Sequence, residues 1–180
     1  MIYLFLADGF EICEAMAPYD ILTRAGKEVI TVGIGKKKIV CSHKITIITE
    51  LEDSEIELSE TLEGIILPGG MPGTLNLEKS EFVINAVKYC AENKKMLSAI
   101  CAAPLILGHL NLLNEKNASC FPGFEKELYG ANLSKDLVVV DENMITAKGM
   151  GVATEFGLAI CEYLCGKDVS EKISAQIQKP

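Results

Sequence analysis

The chain has 180 residues, of which 49% are hydrophobic and 23% are charged, and its formal net charge is −8. These values are typical of one globular domain over residues 1–180 and exclude a disordered or fibrous chain. Because negative charge is repelled by phosphate backbones and anionic lipids, we expect neither nucleic acid nor a membrane as a partner.

Five nearly continuous apolar runs along the chain predict strands that are covered on both faces. They are 2–7, 28–34, 64–70, 96–101 and 137–141, and the predicted helices are 11–25, 79–93, 102–112, 152–165 and 168–177. The alternation of predicted strands and helices along the chain predicts an α/β fold whose mostly parallel sheet is sandwiched between helices.

The first apolar run is too short to span a bilayer and follows no basic residues, so we interpret it as a strand rather than a signal peptide. The segments 36–49 and 137–149 predict hairpins at the margins of the sheet, and the acidic segment 50–63 predicts a solvated connection. In folds of this class, ligands collect outside the carboxyl ends of the strands.

The sequence "AICAAP" (99–104) places Cys101 where a strand is predicted to end and a helix to begin. A nucleophile at such a sharp turn needs small neighbours, and Pro104 suits the first turn of the helix. The helix N-terminus is expected to lower the pKa of the Cys101 thiol. The alternative interpretation is a buried core cysteine, since cysteine is often buried.

Two further segments supply groups that suit this cysteine. In "ILPGGMPG", Gly69 and Gly70 follow a strand, and we group both with Ala102 as oxyanion- or substrate-binding residues. The N–H groups of Gly70 and Ala102 are the pair that would hold the oxyanion, although a simple tight turn explains the motif equally well. Glu11 and Glu14 open the first helix. Glu11 is interpreted as a partner of the helix dipole, whereas Glu14, if it faces the sulfur, would share one proton with Cys101.

Other catalytic classes have less support. His43 and His109 lie away from the predicted turn, so a papain-like protease would lack its base, and no GxxxxGK[ST] phosphate loop occurs. Seven irregularly spaced cysteines favour a reducing cytoplasm over a disulfide framework. Cys161 and Cys165 lie one helical turn apart, and we favour buried helix positions over a metal site there.

These motifs, in this order and spacing, resemble the ThiJ/PfpI superfamily and, within it, the DJ-1 branch. The likeness runs nearly end to end: "ADGFEICEAMAPYDILTRAGKEV", "CSHKITI", "ILPGGMPGTLNL", "SAICAAP" and "AKGMGVATEFGLAICEYLCGK". The resemblance implies a flavodoxin-like fold with Cys101 on a nucleophile elbow, Glu14 as its partner acid, oxyanion groups from Gly70 and Ala102, and a homodimer. It implies no metal or cofactor.

The chain departs from the family pattern at two positions. Phe121 stands where the DJ-1 branch has a histidine, and Ala102 stands where the protease-like branch has one. Phe121, Pro122 and Met150 either fill or line the outer wall of the pocket. Cys13 lies on the first helix, which the family uses in its dimer contact, and we favour a free thiol over a disulfide between subunits.

Two functions are therefore expected from the sequence. The first is an enzyme that acts on reactive dicarbonyls or early glycation adducts through Cys101 and Glu14, as a glyoxalase or deglycase does without glutathione. The second is a non-enzymatic oxidative-stress sensor or redox chaperone that responds to peroxide through oxidation of Cys101. An intracellular protease or amidase has less support, and a dormant site is the remaining alternative.

Overall fold

The computed structural model describes residues 1–179, which form an α/β fold around a seven-stranded sheet. The strands are β1 (Ile2–Leu6), β2 (Val29–Gly33), β3 (Lys38–Val40), β4 (Thr46–Ile48), β5 (Leu51–Glu52), β6 (Gly64–Leu67), β7 (Met96–Ile100), β8 (Asn117–Ala118), β9 (Asn132–Leu133), β10 (Val138–Asp141) and β11 (Met144–Ala147). The helices are α1 (Ile12–Arg24), α2 (Gly73–Lys79), α3 (Glu81–Glu92), α4 (Pro104–His109), α5 (Ala153–Cys165) and α6 (Lys167–Gln176).

The strand order in the sheet is β10-β11-β7-β6-β1-β2-β5, and every pairing is parallel except that of β10 with β11. If β1, β2, β6, β7 and β11 are numbered 1 to 5 in chain order, their order across the sheet is 2-1-3-4-5, which is that of the flavodoxin-like doubly wound fold. The short strand β5 extends this order beyond β2. Chain direction switches between β1 and β6, because β2 lies on one side of β1 and β6 on the other. The carboxyl ends of β1, β6, β7 and β11 therefore meet at one edge.

The core forms two layers because successive side chains of a strand point to opposite faces. From β1, Ile2, Leu4 and Leu6 pack in the layer that contains α1 and α5. Tyr3 and Phe5 pack in the layer that contains α3 and α4. The predicted α/β sandwich is confirmed, as are the five long strands to within a few residues.

Several details of the predicted elements are wrong. The hairpin 36–49 forms a separate two-stranded sheet of β3 and β4, because β5 occupies the edge of β2. The segment 50–63 thus contributes an edge strand and is not only a solvated connection. The strand predicted over 64–70 ends at Leu67, which leaves the glycines beyond it in a turn.

Two helices also differ from the prediction. Helix α2 was not expected, because its first turn follows Pro72 and begins with a glycine, residues typical of a turn. Helix α4 is only six residues long instead of 102–112, because Asn111 takes a left-handed φ of 56° and its N–H bonds back to Gly108. Within residues 1–179, no helix has both the length and the apolar character needed to cross a membrane.

Candidate active site

Cys101 occupies a strained turn between β7 and α4. Its φ is +66°, a left-handed value that non-glycine residues adopt rarely and often at functional sites. Hydrogen bonds hold the turn on both sides: the Cys101 N–H donates to the Ala147 carbonyl at 2.9 Å, and the Phe121 N–H donates to the Cys101 carbonyl at 2.8 Å. Pro104 occupies the first turn of α4, as predicted. The backbone thus fixes the sulfur at the edge where the parallel strands end.

The glycine turn after β6 packs directly against this cysteine. A Cβ atom on Gly69 would lie 2.6 Å from the Cβ of Cys101 and 2.7 Å from Glu14 Oε2, so only glycine fits. Gly70 has a φ of +89°, and a Cβ atom there would lie 2.5 Å from the Glu11 nitrogen. The two glycines are needed because the turn, the cysteine and the first turn of α1 meet at van der Waals distance.

Three backbone N–H groups from these turns point at the reacting side chains. The N–H groups of Gly70 and Ala102 donate to the Cys101 sulfur, which brings together the pair named from the sequence. The Gly69 N–H donates instead to Glu14 Oε2 at 2.9 Å. Gly69 was grouped with the oxyanion donors, and the structure gives it a different task, which is to orient the carboxyl group.

Glu14 lies in the first turn of α1 with only 1% of its surface exposed, and its carboxyl group hydrogen-bonds to the Cys101 sulfur. A third contact comes from the Met150 N–H, which donates to the carboxylate. The Glu11 carboxylate accepts a hydrogen bond from the Ser42 hydroxyl at 3.1 Å, and its negative charge helps to raise the pKa of Glu14. Glu11 lies at the N-terminus of α1, where the dipole interpretation stays a prediction, whereas Glu14 faces the sulfur.

Burial and mutual repulsion control the protons of this pair. Desolvation raises the pKa of Glu14 to about 7, although its hydrogen bonds oppose the shift. Desolvation, followed by the negative charge of Glu14, raises the pKa of Cys101 to about 12. Because the two groups repel as anions, these values belong to the pair: one proton leaves near pH 7 and the other is kept.

This result corrects one sequence-based expectation and supports another. The helix N-terminus was expected to lower the pKa of Cys101, and the shift is upward, because desolvation and the negative charge of Glu14 outweigh the backbone N–H groups of Gly70 and Ala102. The expectation that Glu14 and Cys101 hold one proton between them agrees with both raised values. Proton exchange within the pair is therefore the chemistry that the site offers.

The outer wall of the site is an open groove rather than a filled pocket. Phe121 and Met150 are 46% and 56% exposed, and with Pro122 they line the groove. A Cβ atom on Gly149 would lie 3.1 Å from the Phe121 ring and 3.8 Å from Glu14 Oε1. Gly149, one of the residues that line the groove, therefore lies beside the carboxyl group of Glu14.

The two histidines and the remaining cysteines do not join the site. His43 lies on the exposed β3–β4 hairpin, and His109 hydrogen-bonds to Glu78 and Glu127. Within residues 1–179, no three His, Cys, Asp or Glu side chains are placed to hold a metal. All seven cysteines are free; Cys161 is buried and Cys13 is exposed on α1.

Sequence reasoning missed the backbone donors at Met150 and Phe121. Both contacts are made by main-chain N–H groups, which leave no signature in side-chain type. A weaker signal was present, because the segment after β11 ends at the same edge as β7, where ligands collect.

Comparison with known proteins gives concordant matches. The model of the DJ-1/PfpI family matches residues 1–163. Protein DJ-1 homolog B from Arabidopsis thaliana is 35% identical over 94% of the chain, which spans only 39% of that relative. A Caenorhabditis elegans protein named glutathione-independent glyoxalase DJR-1.2 is 28% identical over 89% of the chain and 86% of its own length. The structure of oxidized Toxoplasma gondii DJ-1 superposes with a TM-score of 0.93 at 29% identity, covering 98% of this chain and 97% of that one.

Proposed function

The chain belongs to the DJ-1/PfpI family, and from this premise we propose that it converts reactive dicarbonyls such as methylglyoxal to hydroxy acids through Cys101 and Glu14. The observation that carries the proposal is the packing of a nearly inaccessible carboxyl group against the cysteine turn: the Gly69 N–H holds Glu14 Oε2 at 2.9 Å, and a Cβ atom on Gly69 would lie 2.7 Å from that oxygen and 2.6 Å from the Cβ of Cys101. The name of the Caenorhabditis elegans relative supports the same reaction class. Early glycation adducts carry the same carbonyl chemistry and form the second expected substrate class.

The first step is addition of the Cys101 sulfur to the aldehyde carbon of the substrate. A C–S bond forms, the C=O π electrons move to the oxygen, and the thiol proton passes to Glu14, which is ionised above about pH 7. The N–H groups of Gly70 and Ala102 point at the sulfur, so an oxygen on the carbon bonded to it lies within their reach. Those donors stabilise the resulting oxyanion, and Glu14 then passes the proton to it, which gives a neutral hemithioacetal and leaves Glu14 ionised again.

The second step moves hydrogen between the two substrate carbons. Glu14, ionised again, removes the proton from the former aldehyde carbon, and the C–H electrons form a double bond to the neighbouring carbon as its carbonyl oxygen becomes an enolate. Glu14 then returns the proton to that neighbouring carbon while the hydroxyl proton of the first carbon passes to the second oxygen, so that the first carbon is oxidised and the second reduced. The result is a thioester of Cys101. Water then breaks the C–S bond and releases lactate from methylglyoxal, which restores the thiol. No external oxidant, reductant or cofactor enters the balance.

A redox sensor is the second candidate function, since it needs the same sulfur. Cys101 is partly exposed, and the matched Toxoplasma gondii relative was solved in an oxidized state. Reaction with peroxide would give a sulfenic acid and water, and Glu14 would hydrogen-bond the new oxygen. A protease or amidase has less support, because Ala102 offers no base. The homodimer implied by the family resemblance remains a proposal.

The test is lactate formation from methylglyoxal by the wild-type chain, Cys101→Ser and Glu14→Gln. We expect both variants to lose at least 100-fold in kcat/KM, the typical size of a general acid–base or nucleophile contribution. Cys13→Ser, which changes an exposed thiol on the same helix as Glu14, serves as the matched control. Wild-type lactate production by either site variant would refute this mechanism.

A further inference from the structure

We propose that the groove of Phe121, Pro122 and Met150 binds the substituent of the dicarbonyl substrate, and that it selects apolar substituents such as an aryl group over a methyl group. The inference rests on the proposed function and specifies its substrate class. The groove has a volume of about 360 Å³, more than a methyl group needs. Its occupant is thus the group that distinguishes one α-oxoaldehyde from another.

The position of the groove ties it to the reacting groups. The Met150 N–H donates to the Glu14 carboxylate, and the Phe121 N–H donates to the Cys101 carbonyl. Gly149 lies between the Phe121 ring and Glu14 Oε1, at 3.1 Å and 3.8 Å from its ideal Cβ position. A carbonyl group held between Cys101 and Glu14 therefore directs its substituent along Gly149 into the groove.

The chemistry of the groove favours an apolar occupant. Phe121 and Met150 expose large apolar side chains next to a polar reaction centre, an arrangement typical of ligand sites. Lys148 borders the groove, but its Nζ donates to the Lys135 carbonyl at 2.7 Å. Lys148 is the only charged residue among the described residues that line the groove, and the other side chains there are apolar, so an aryl ring is able to stack on Phe121.

The test compares kcat/KM for phenylglyoxal and methylglyoxal, with Cys101→Ser subtracted as background. We expect the wild-type chain to prefer phenylglyoxal at least tenfold, since a hydrophobic pocket discriminates by roughly tenfold to 200-fold per methylene. Phe121→Ala and Met150→Ala each lower that ratio about tenfold, mainly through KM, and Phe121→Leu keeps it within about threefold of the wild type. Val140→Ala, at a 51% exposed apolar side chain on β10 outside the groove, keeps the wild-type ratio.

The outcomes separate this inference from the proposed function. Turnover of both substrates with a ratio that does not change in Phe121→Ala or Met150→Ala overturns the groove assignment and leaves the proposed function standing. If the chain turns over neither substrate, both the groove assignment and the proposed function are overturned. If Phe121→Ala instead shifts sedimentation from dimer to monomer while the ratio stays constant, the groove is a contact between copies of the chain, and the assignment is again refuted. Far-ultraviolet circular dichroism confirms that each variant is folded.

Discussion

Gly69 and Cys101 are packed so closely that a Cβ atom on the glycine would lie 2.6 Å from the Cβ of the cysteine. The same glycine donates its N–H to Glu14 at 2.9 Å. One residue without a side chain thus lets the sulfur and the carboxyl group meet, and it also orients the carboxyl group.

Substitution of Gly69 is the first prediction that follows. Gly69→Ala should destabilise the fold by about 1–3 kcal/mol, because the added methyl group overpacks a rigid site, and it should slow alkylation of Cys101. Urea denaturation and iodoacetamide kinetics measure the two effects. Gly151→Ala is the stability control, since nothing lies within 4 Å of its added Cβ. Equal stability of the two variants would show that the turn accommodates a side chain.

The buried Glu14 carboxyl group predicts how stability depends on pH. Its pKa rises from 4.5 to about 7 on folding, so between these values the native state binds more protons than the unfolded state. This stabilisation is present in full below pH 4.5 and is lost as the pH rises through about 7, a change of about 3 kcal/mol. In Glu14→Gln the difference in unfolding free energy between pH 5 and pH 8 should shrink by about that amount. An unchanged difference would mean that Glu14 titrates as an exposed carboxyl group.

His109 predicts a second pH effect with the same sign. Burial acts to lower the pKa of His109, but hydrogen bonds to Glu127 and Glu78 overcome burial and raise it above 6.5. Stability from the charged imidazole is therefore complete below pH 6.5 and is lost as the pH rises through the folded pKa. His109→Gln should remove this decline, and His43→Gln, at the exposed hairpin, should keep it. An NMR titration of His109 that gives a pKa at or below 6.5 would contradict the ion pairs.

Peroxide should distinguish Cys101 from the buried thiols. Cys90 and Cys161 are fully buried, and desolvation raises the pKa of each, to about 12 and about 11. Cys101 is partly exposed and has a carboxyl group to take its proton. Peptide mass spectrometry after a mild peroxide titration should find Cys101 oxidised at least tenfold faster than either. Simultaneous oxidation of the three would remove the basis of a sensor function.

The fold was predictable because strands buried on both faces leave long apolar runs, and "AICAAP" marks the elbow through its small residues and Pro104. Gly70 and Ala102 were predicted because each lies directly after a strand, and Glu14 because it lies at the start of the first helix. The task of Gly69, the N–H of Met150 and the raised pKa of Cys101 were not, because they depend on which segments the fold brings together. Helix α2 was missed because its first residues are typical of a turn.

The central claim is that Cys101 reacts as its proton passes to Glu14, and the pH dependence of Cys101 alkylation tests it most directly. The wild-type rate should rise with an inflection near pH 7, where the pair loses its first proton. In Glu14→Gln the inflection should move upward, because burial then raises the pKa of a sulfur that has no partner for its proton. A wild-type inflection at or above about 8.5, the value of an ordinary thiol, or one that Glu14→Gln leaves in place, would contradict the account.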